Sequence, residues 1–201
     1  MNVVVRSRGR VPHWEAKGGI YFVTFRLADS LPRFVVQSFE AERRDILATA
    51  KQMGRNLTVS EQKRLAKLFS ERIELHLNAS RGQCYLKNPD VASLVARALG
   101  HFDGNRYRLF AWCIMPNHVH VVFQAHPGQG LAEIVQTWKS FIAHQANRLL
   151  RRKGEFWQRE YYDHLIRYPG EFERIVRYVA ENPIKAGLKD WPWVQLYVGQ
   201  D

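Results

Sequence analysis

Residues 106–124 read RYRLFAWCIMPNHVHVVFQ. Aromatic and β-branched residues fill 106–115, Pro116 and Asn117 follow, and β-branched residues resume at 118–124. Two such runs around a Pro-Asn pair predict two strands joined by a tight turn. The second run is apolar except at His118, His120 and Gln124. Side chains at i and i+2 of a strand share a face, about 7 Å apart along the backbone. His118 and His120 therefore point one way and Val119 the other, into the core. Two neutral imidazoles on one face can hold a divalent cation at about 2.0–2.2 Å. An HxH pair alone is also compatible with two histidines on a wet face, and the expectation here is a site opening on the histidine side.

Working outward, GGIYFVTFRL (18–27) reads as a strand. Residues 34–53 and 60–77 are charged and amphipathic and predict two helices joined at GRNLT, with Thr58 or Ser60 as the cap. NPDVASLVARALGHF (88–102) starts on Asn-Pro and spaces Val91, Leu94, Val95 and Leu99 as one helical face. After the hairpin, Leu131, Ile134, Val135, Trp138, Phe141, Ile142 and Leu149 form a helical stripe. EFWQREYYDHLIRY (155–168) is β-like in its second half. PGEFERIVRYVAEN (169–182) is a helix with Phe172, Ile175, Val176 and Val179 inward, ended by Asn182-Pro183. Without the early helical pair the order is βαββαβ. That predicts an α+β, ferredoxin-like core, an antiparallel sheet with helices on one face, plus a helical insertion and a C-terminal helix. With no linker or repeat, residues 1–201 read as a single domain and 34–80 as its insertion.

The charge supplies a partner class. Lys and Arg number 30 against 19 Asp and Glu, a net charge of +11. A basic folded domain points to a polyanion, nucleic acid before an anionic membrane. No apolar run approaches the ~18 residues of a spanning helix, and MNVVVRSRGR places its arginines after its apolar patch, the reverse of a secretory signal. Cys84 and Cys113 suggest small buried residues rather than a disulfide framework. The expectation is a cytoplasmic protein without a membrane partner.

Tyr178 and Asn182 are i and i+4 on the last helix and stack on one flank of its apolar stripe. The position suits Tyr178 as a rim residue with an outward hydroxyl, and Asn182 as either a helix cap or an oxygen ligand for Mg²⁺ or Mn²⁺.

RLFAWCIMPNHVHVVFQ, QTWKSFIAHQANR, FWQREYYDHLIR and YVAENPIKAGL occur in this order. Together they resemble the REP-associated tyrosine transposases, a branch of the single-tyrosine HUH nucleases related to small insertion-sequence transposases. The resemblance covers roughly residues 12–195, and the joint presence of MPNHVH, WQREYYDH and NPIKAG makes it specific. It implies Tyr178 as catalytic nucleophile, His118 and His120 as metal ligands, Asn182 as third ligand, and His164 as the rival for that place. It implies Mg²⁺ or Mn²⁺ as cofactor and single-stranded or hairpin DNA as partner. The chemistry it implies is cleavage and rejoining of single-stranded DNA at or near hairpins from repetitive extragenic palindromes, through a 5′-phosphotyrosine, by a monomer or homodimer. The basic residues expected on the DNA are the arm residues Arg6, Arg8 and Arg10, then Lys139, Arg148, Arg151, Arg152, Lys153, Arg167 and Lys185. Cations at 151–153 would equally stabilise a helix C-terminus. Two other functions fit the composition: a non-catalytic nucleic-acid binder of ferredoxin-like fold, and a metal phosphodiesterase that uses water. The binder lacks the aromatic sheet motif of RNA-recognition folds.

Overall fold

The structure is a computed structural model that describes residues 3–7, 12–55, 57–58, 60–61, 64 and 82–197. Strands β1 (Val3–Ser7) and β2 (Pro12–Ala16) form a separate antiparallel hairpin. Strand β3 (Ile20–Arg26) leads into helix α1 (Arg33–Gln52). A short 3₁₀ turn at Tyr85–Lys87 precedes α2 (Pro89–Gly100), whose Asn88 side chain accepts from the Asp90 amide as an N-cap. Then come β4 (Tyr107–Ile114), β5 (His118–Ala125), α3 (Leu131–Leu149), β6 (Tyr162–Ile166), α4 (Pro169–Lys185) and β7 (Val194–Leu196).

The main sheet has the order β6-β3-β5-β4-β7, every neighbour antiparallel. Its first four strands, numbered within the βαββαβ unit, run 4-1-3-2. This is the expected ferredoxin-like arrangement, with β7 added at one edge. Alternation along the strands sorts side chains onto two faces. Tyr21, Val23, Phe25, Val119, Val121 and Phe123 pack with α2 and α3 through Val95, Leu99, Val135 and Trp138. Phe22, Ala111, Cys113, Met115 and Val122 pack with α4 through Val176 and Val179. A bulge between Leu109 and Ala111 makes this division possible. The extra residue reverses the parity of β4, so Leu109 joins one face while Ala111 and Cys113 join the other.

Several expectations change. The arginine arm is not free at Arg6, which lies in β1 opposite His13; Arg8 and Arg10 lie outside the described residues. Most of the second early helix, 60–77, also lies outside them. Its predicted cap does form: Thr58 Oγ1 accepts from the Glu61 amide while the Glu61 carboxylate accepts from the Thr58 amide. Phe141 and Leu149 leave the apolar stripe and are about half exposed, at 50% and 48%. Phe141 falls at the margin of the strip that Leu131, Ile134, Trp138 and Ile142 press onto the sheet, and Leu149, although in line with that strip, is the last residue of the helix. The Asn182-Pro183 pair does not end α4, which runs to Lys185. Val179, Asn182 and Pro183 are all buried there. This tertiary packing holds the helical backbone past the proline, and the turn at Gly187, with φ 74°, ends it.

Candidate active site

The histidine face is not an opening. His118 and His120 are 0% and 1% exposed, because α4 lies across the side of the sheet they occupy. Val119 faces the opposite core, as the strand period requires. A buried imidazole must place both ring nitrogens. His118 Nδ1 lies 2.7 Å from Asn117 Oδ1, and an amide oxygen only accepts, so the proton is on Nδ1 and Nε2 carries a lone pair. His120 Nδ1 lies 2.8 Å from Thr24 Oγ1, its cross-strand neighbour on β3. The two Nε2 atoms meet 3.0 Å apart.

Two proton arrangements satisfy these distances. In one, the Thr24 hydroxyl donates to His120 Nδ1, and His120 Nε2–H donates to His118 Nε2. In the other, His120 Nδ1–H donates to Thr24, and two lone pairs face each other. A cation stabilises the second arrangement. Two ligand atoms about 2.1 Å from one ion and at right angles about it stand about 3.0 Å apart, the separation found here. Imidazole ligands also commonly donate their other N–H to a fixed acceptor, and Asn117 and Thr24 supply such partners.

Helix α4 brings the remaining groups. Tyr178 Oη is 3.5 Å from His120 Nε2 and accepts from Asn182 Nδ2 at 2.7 Å. Asn182 is fully buried, and its Oδ1 has no hydrogen-bond partner. A buried, unpartnered amide oxygen one helical turn from the tyrosine is the donor a hard cation accepts. The residues present therefore fit a divalent metal held by two imidazoles and an amide oxygen. Among the described residues no group of three or more His, Cys, Asp and Glu side chains clusters to bind a metal. Phe22 walls the site, stacked 5.4 Å from the His120 ring and edge-on to Tyr178 at 5.9 Å.

Burial pushes the His120 imidazole down to about 3, and burial, His120 and the Arg26 charge hold His118 well below the ordinary histidine range. Both rings stay neutral at physiological pH and keep their lone pairs.

His164, the rival ligand, goes elsewhere. It sits on β6, with β3 between it and β5. Its Nε2 bonds Glu171 Oε1 at 2.9 Å, and Glu171 Oε2 accepts the Arg167 amide at 2.9 Å. The pair ties the first turn of α4 to the sheet. Lys139 is likewise not a surface cation. It is buried, and its ammonium donates to the Gln158 and Arg159 carbonyls at 2.8 and 2.7 Å. Arg152 bonds Asn147 and the Glu155 carbonyl and stacks over Tyr85 and Phe156. Both hold the 154–160 segment against α3. Arg148, Arg151, Lys153, Arg167 and Lys185 are exposed. Lys185 Nζ pairs with Glu181 at 3.0 Å and lies 5.6 Å from the centre of the Tyr178 ring.

Thr24, Asn117, Arg26 and Gln158 join the site without having been singled out in the sequence. The available signal was Thr24 and Arg26 at i and i+2 within YFVTFRL, polar groups on one side of an apolar strand.

Residues 85–182 match the family model described as "Transposase IS200 like". A "Putative REP-associated tyrosine transposase" of Haemophilus influenzae is 29% identical over 101 residues, 43% of this chain and 57% of that protein. A "REP-associated tyrosine transposase" of Escherichia coli is 26% identical over 91 residues, 43% of this chain and 53% of that protein. The matched region thus spans little more than half the length of these curated relatives. The solved "Structure of the REP associates tyrosine transposase bound to a REP hairpin" superposes with a TM-score of 0.54 at 16% identity, over 94% of this chain and 82% of that one. That likeness establishes a shared fold. Over residues 85–182, just under half of its length, the chain is thus similar to the IS200-like transposases, and the curated relatives it resembles are REP-associated tyrosine transposases.

Proposed function

We propose that this protein cuts and rejoins single-stranded DNA beside hairpins of the repetitive-palindrome type, through a phosphodiester to Tyr178. The observation that carries this reading is the convergence of Tyr178 Oη, Asn182 and the two facing imidazole nitrogens in one side-chain cluster. Its names come from the curated relatives and from a solved structure of the same fold, a REP-associated tyrosine transposase bound to a REP hairpin.

Tyr178 Oη bonds to the scissile phosphorus and the bond to the 3′ oxygen breaks. A strand with a free 3′ hydroxyl and a 5′ phosphate on the tyrosine remains. Attack by a 3′ hydroxyl on that phosphotyrosine restores a DNA phosphodiester and frees the phenol. A phenol with pKa ~10 is a weak nucleophile at neutral pH. Asn182 Nδ2–H donates to Oη and fixes its position, and the Lys185 ammonium lies 5.6 Å from the ring centre. His118, His120 and Asn182 Oδ1 would hold a divalent cation, Mg²⁺ or Mn²⁺. When bound, that ion would polarise the phosphoryl oxygens and offset their developing charge. Thr24 and Asn117 orient the imidazoles. The exposed cations Arg148, Arg151, Arg167 and Lys185 would track the DNA backbone.

The test uses hairpin oligonucleotides with single-stranded flanks, labelled at either end, with Mn²⁺ and a denaturing protein gel. The expected result is an adduct bearing the 3′-side fragment in the wild type and none in Tyr178→Phe. Cleavage without adduct would establish hydrolysis by water. Binding without cleavage would establish a binder.

A further inference from the structure

The geometry points to Arg26 as a further catalytic residue, whose terminal guanidinium nitrogens hold a non-bridging oxygen of the scissile phosphate. The assignment rests on the DNA-cleaving reading above and adds a group to it. Arg26 stands directly opposite His118 in the β3–β5 register, and alternation puts it on the same sheet face as Thr24, His118 and His120. It is 6% exposed. Its Nε donates to Gln158 Oε1 at 3.0 Å. Gln158 is itself fixed, its amide donating to the Arg26 carbonyl at 2.9 Å and its side chain to the Ala28 carbonyl at 3.3 Å. One edge of the guanidinium is therefore clamped. Among the described residues no hydrogen bond reaches Nη1 or Nη2, and no carboxylate lies within ion-pair distance of the group. Glu160, half-buried, is the countercharge in range.

The other inward cations set the contrast. Lys139 is buried and satisfied by two carbonyls. Arg152 is satisfied by an amide, a carbonyl and two rings. These are structural cations whose terminal nitrogens are engaged by the protein. Arg26 has only Nε bonded, and its terminal donors beside the imidazoles are left for an anion. A planar fork beside His118 fits a phosphate, whose equatorial oxygens gain charge as the O–P bond to Tyr178 forms and the bond to the 3′ oxygen breaks. The desolvation that pulls the guanidinium down to about 10 leaves it charged at neutral pH and strengthens its attraction for an anion.

The experiment compares wild type, Arg26→Gln and Arg26→Lys on the hairpin oligonucleotide, with Rp or Sp phosphorothioate at the phosphate the wild type cleaves. Arg26→Gln is expected to keep its melting transition and its affinity for the uncleaved strand. Adduct formation should fall about 10²–10³-fold, the range for removing a donor to a transition-state oxyanion. The wild type should be slowed by sulfur at the Arg26-facing oxygen. That one stereoisomer's slowing should shrink toward unity in Arg26→Gln, while the other isomer's slowing is unchanged. A merely structural arginine would lower both isomers alike. If Arg26→Gln fails to fold, Arg26→Lys decides, since it keeps the charge and loses the fork: the same single-isomer change supports the assignment. Adduct formation within about threefold of wild type, or unchanged slowing for both isomers, overturns it. A wild type that makes no Tyr178 adduct overturns the cleavage reading, and the Arg26 assignment with it.

Discussion

Acid should unfold the metal-free protein through the two imidazoles rather than through its carboxylates. His120 is 1% exposed, and burial holds it near 3, against about 6.5 in an unfolded chain. The folded value is the lower one, so unfolding takes up a proton once the pH falls below about 6.5. Stability from this group is complete above that pH and drains away as pH falls toward 3. Between pH 7.5 and 5.0 the loss from His120 is about 2 kcal/mol, since 1.5 pH units below the unfolded value at 1.36 kcal/mol each set it. The figure holds for any folded value below about 4. His118, shifted the same way, adds to the loss. Glu171, held below its ordinary range by the Arg167 amide and His164 although burial opposes this, loses its contribution only at more acid pH. Urea unfolding with EDTA at pH 7.5, 6.0 and 5.0 measures the effect. The wild type should lose about 2 kcal/mol or more by pH 5.0 and His118→Gln/His120→Gln should lose far less. Added Mn²⁺ should raise wild-type stability by a similar amount at each pH, because the folded imidazoles keep their lone pairs down to pH 5.0 and protons do not displace the metal there. An equal loss in the wild type and the double variant would refute the buried neutral pair.

Val119→Asp should abolish the cooperative urea transition, since it buries an unpaired carboxylate among Val95, Leu99 and their neighbours; a folded variant would mean that the faces of β5 are reversed. Lys139→Met should cost about 1–3 kcal/mol by leaving the Gln158 and Arg159 carbonyls unpaired, with no change in the salt dependence of DNA binding. Four exposed cations on phosphates, Arg148, Arg151, Arg167 and Lys185, predict a log–log salt slope of about −3 for single-stranded DNA, measured by fluorescence anisotropy from 50 to 300 mM salt.

The strand periods and turn residues in the sequence were enough to order the βαββαβ unit, because a Pro-Asn turn between two β-branched runs is a local signal. The opposition of Val119 to the histidines was legible for the same reason: period 2 is a property of the strand alone. The pairing of Tyr178 with Asn182 followed from i,i+4 spacing. Local patterns cannot say what lies over a face, and there the tertiary structure decided. Helix α4 covers the histidines and buries the face that was expected to open. The β4 bulge, invisible in RYRLFAWCIM, puts Cys113 beside His120 rather than in the other core. The fate of each cation was also tertiary. Lys139, Arg148, Arg151 and Arg152 look alike in sequence, yet the 154–160 segment engages Lys139 and Arg152 and leaves the other two exposed. Arg26 carries the same lesson in reverse: an unremarkable strand arginine stands beside the imidazoles only because β3 and β5, some ninety residues apart, pair in one register.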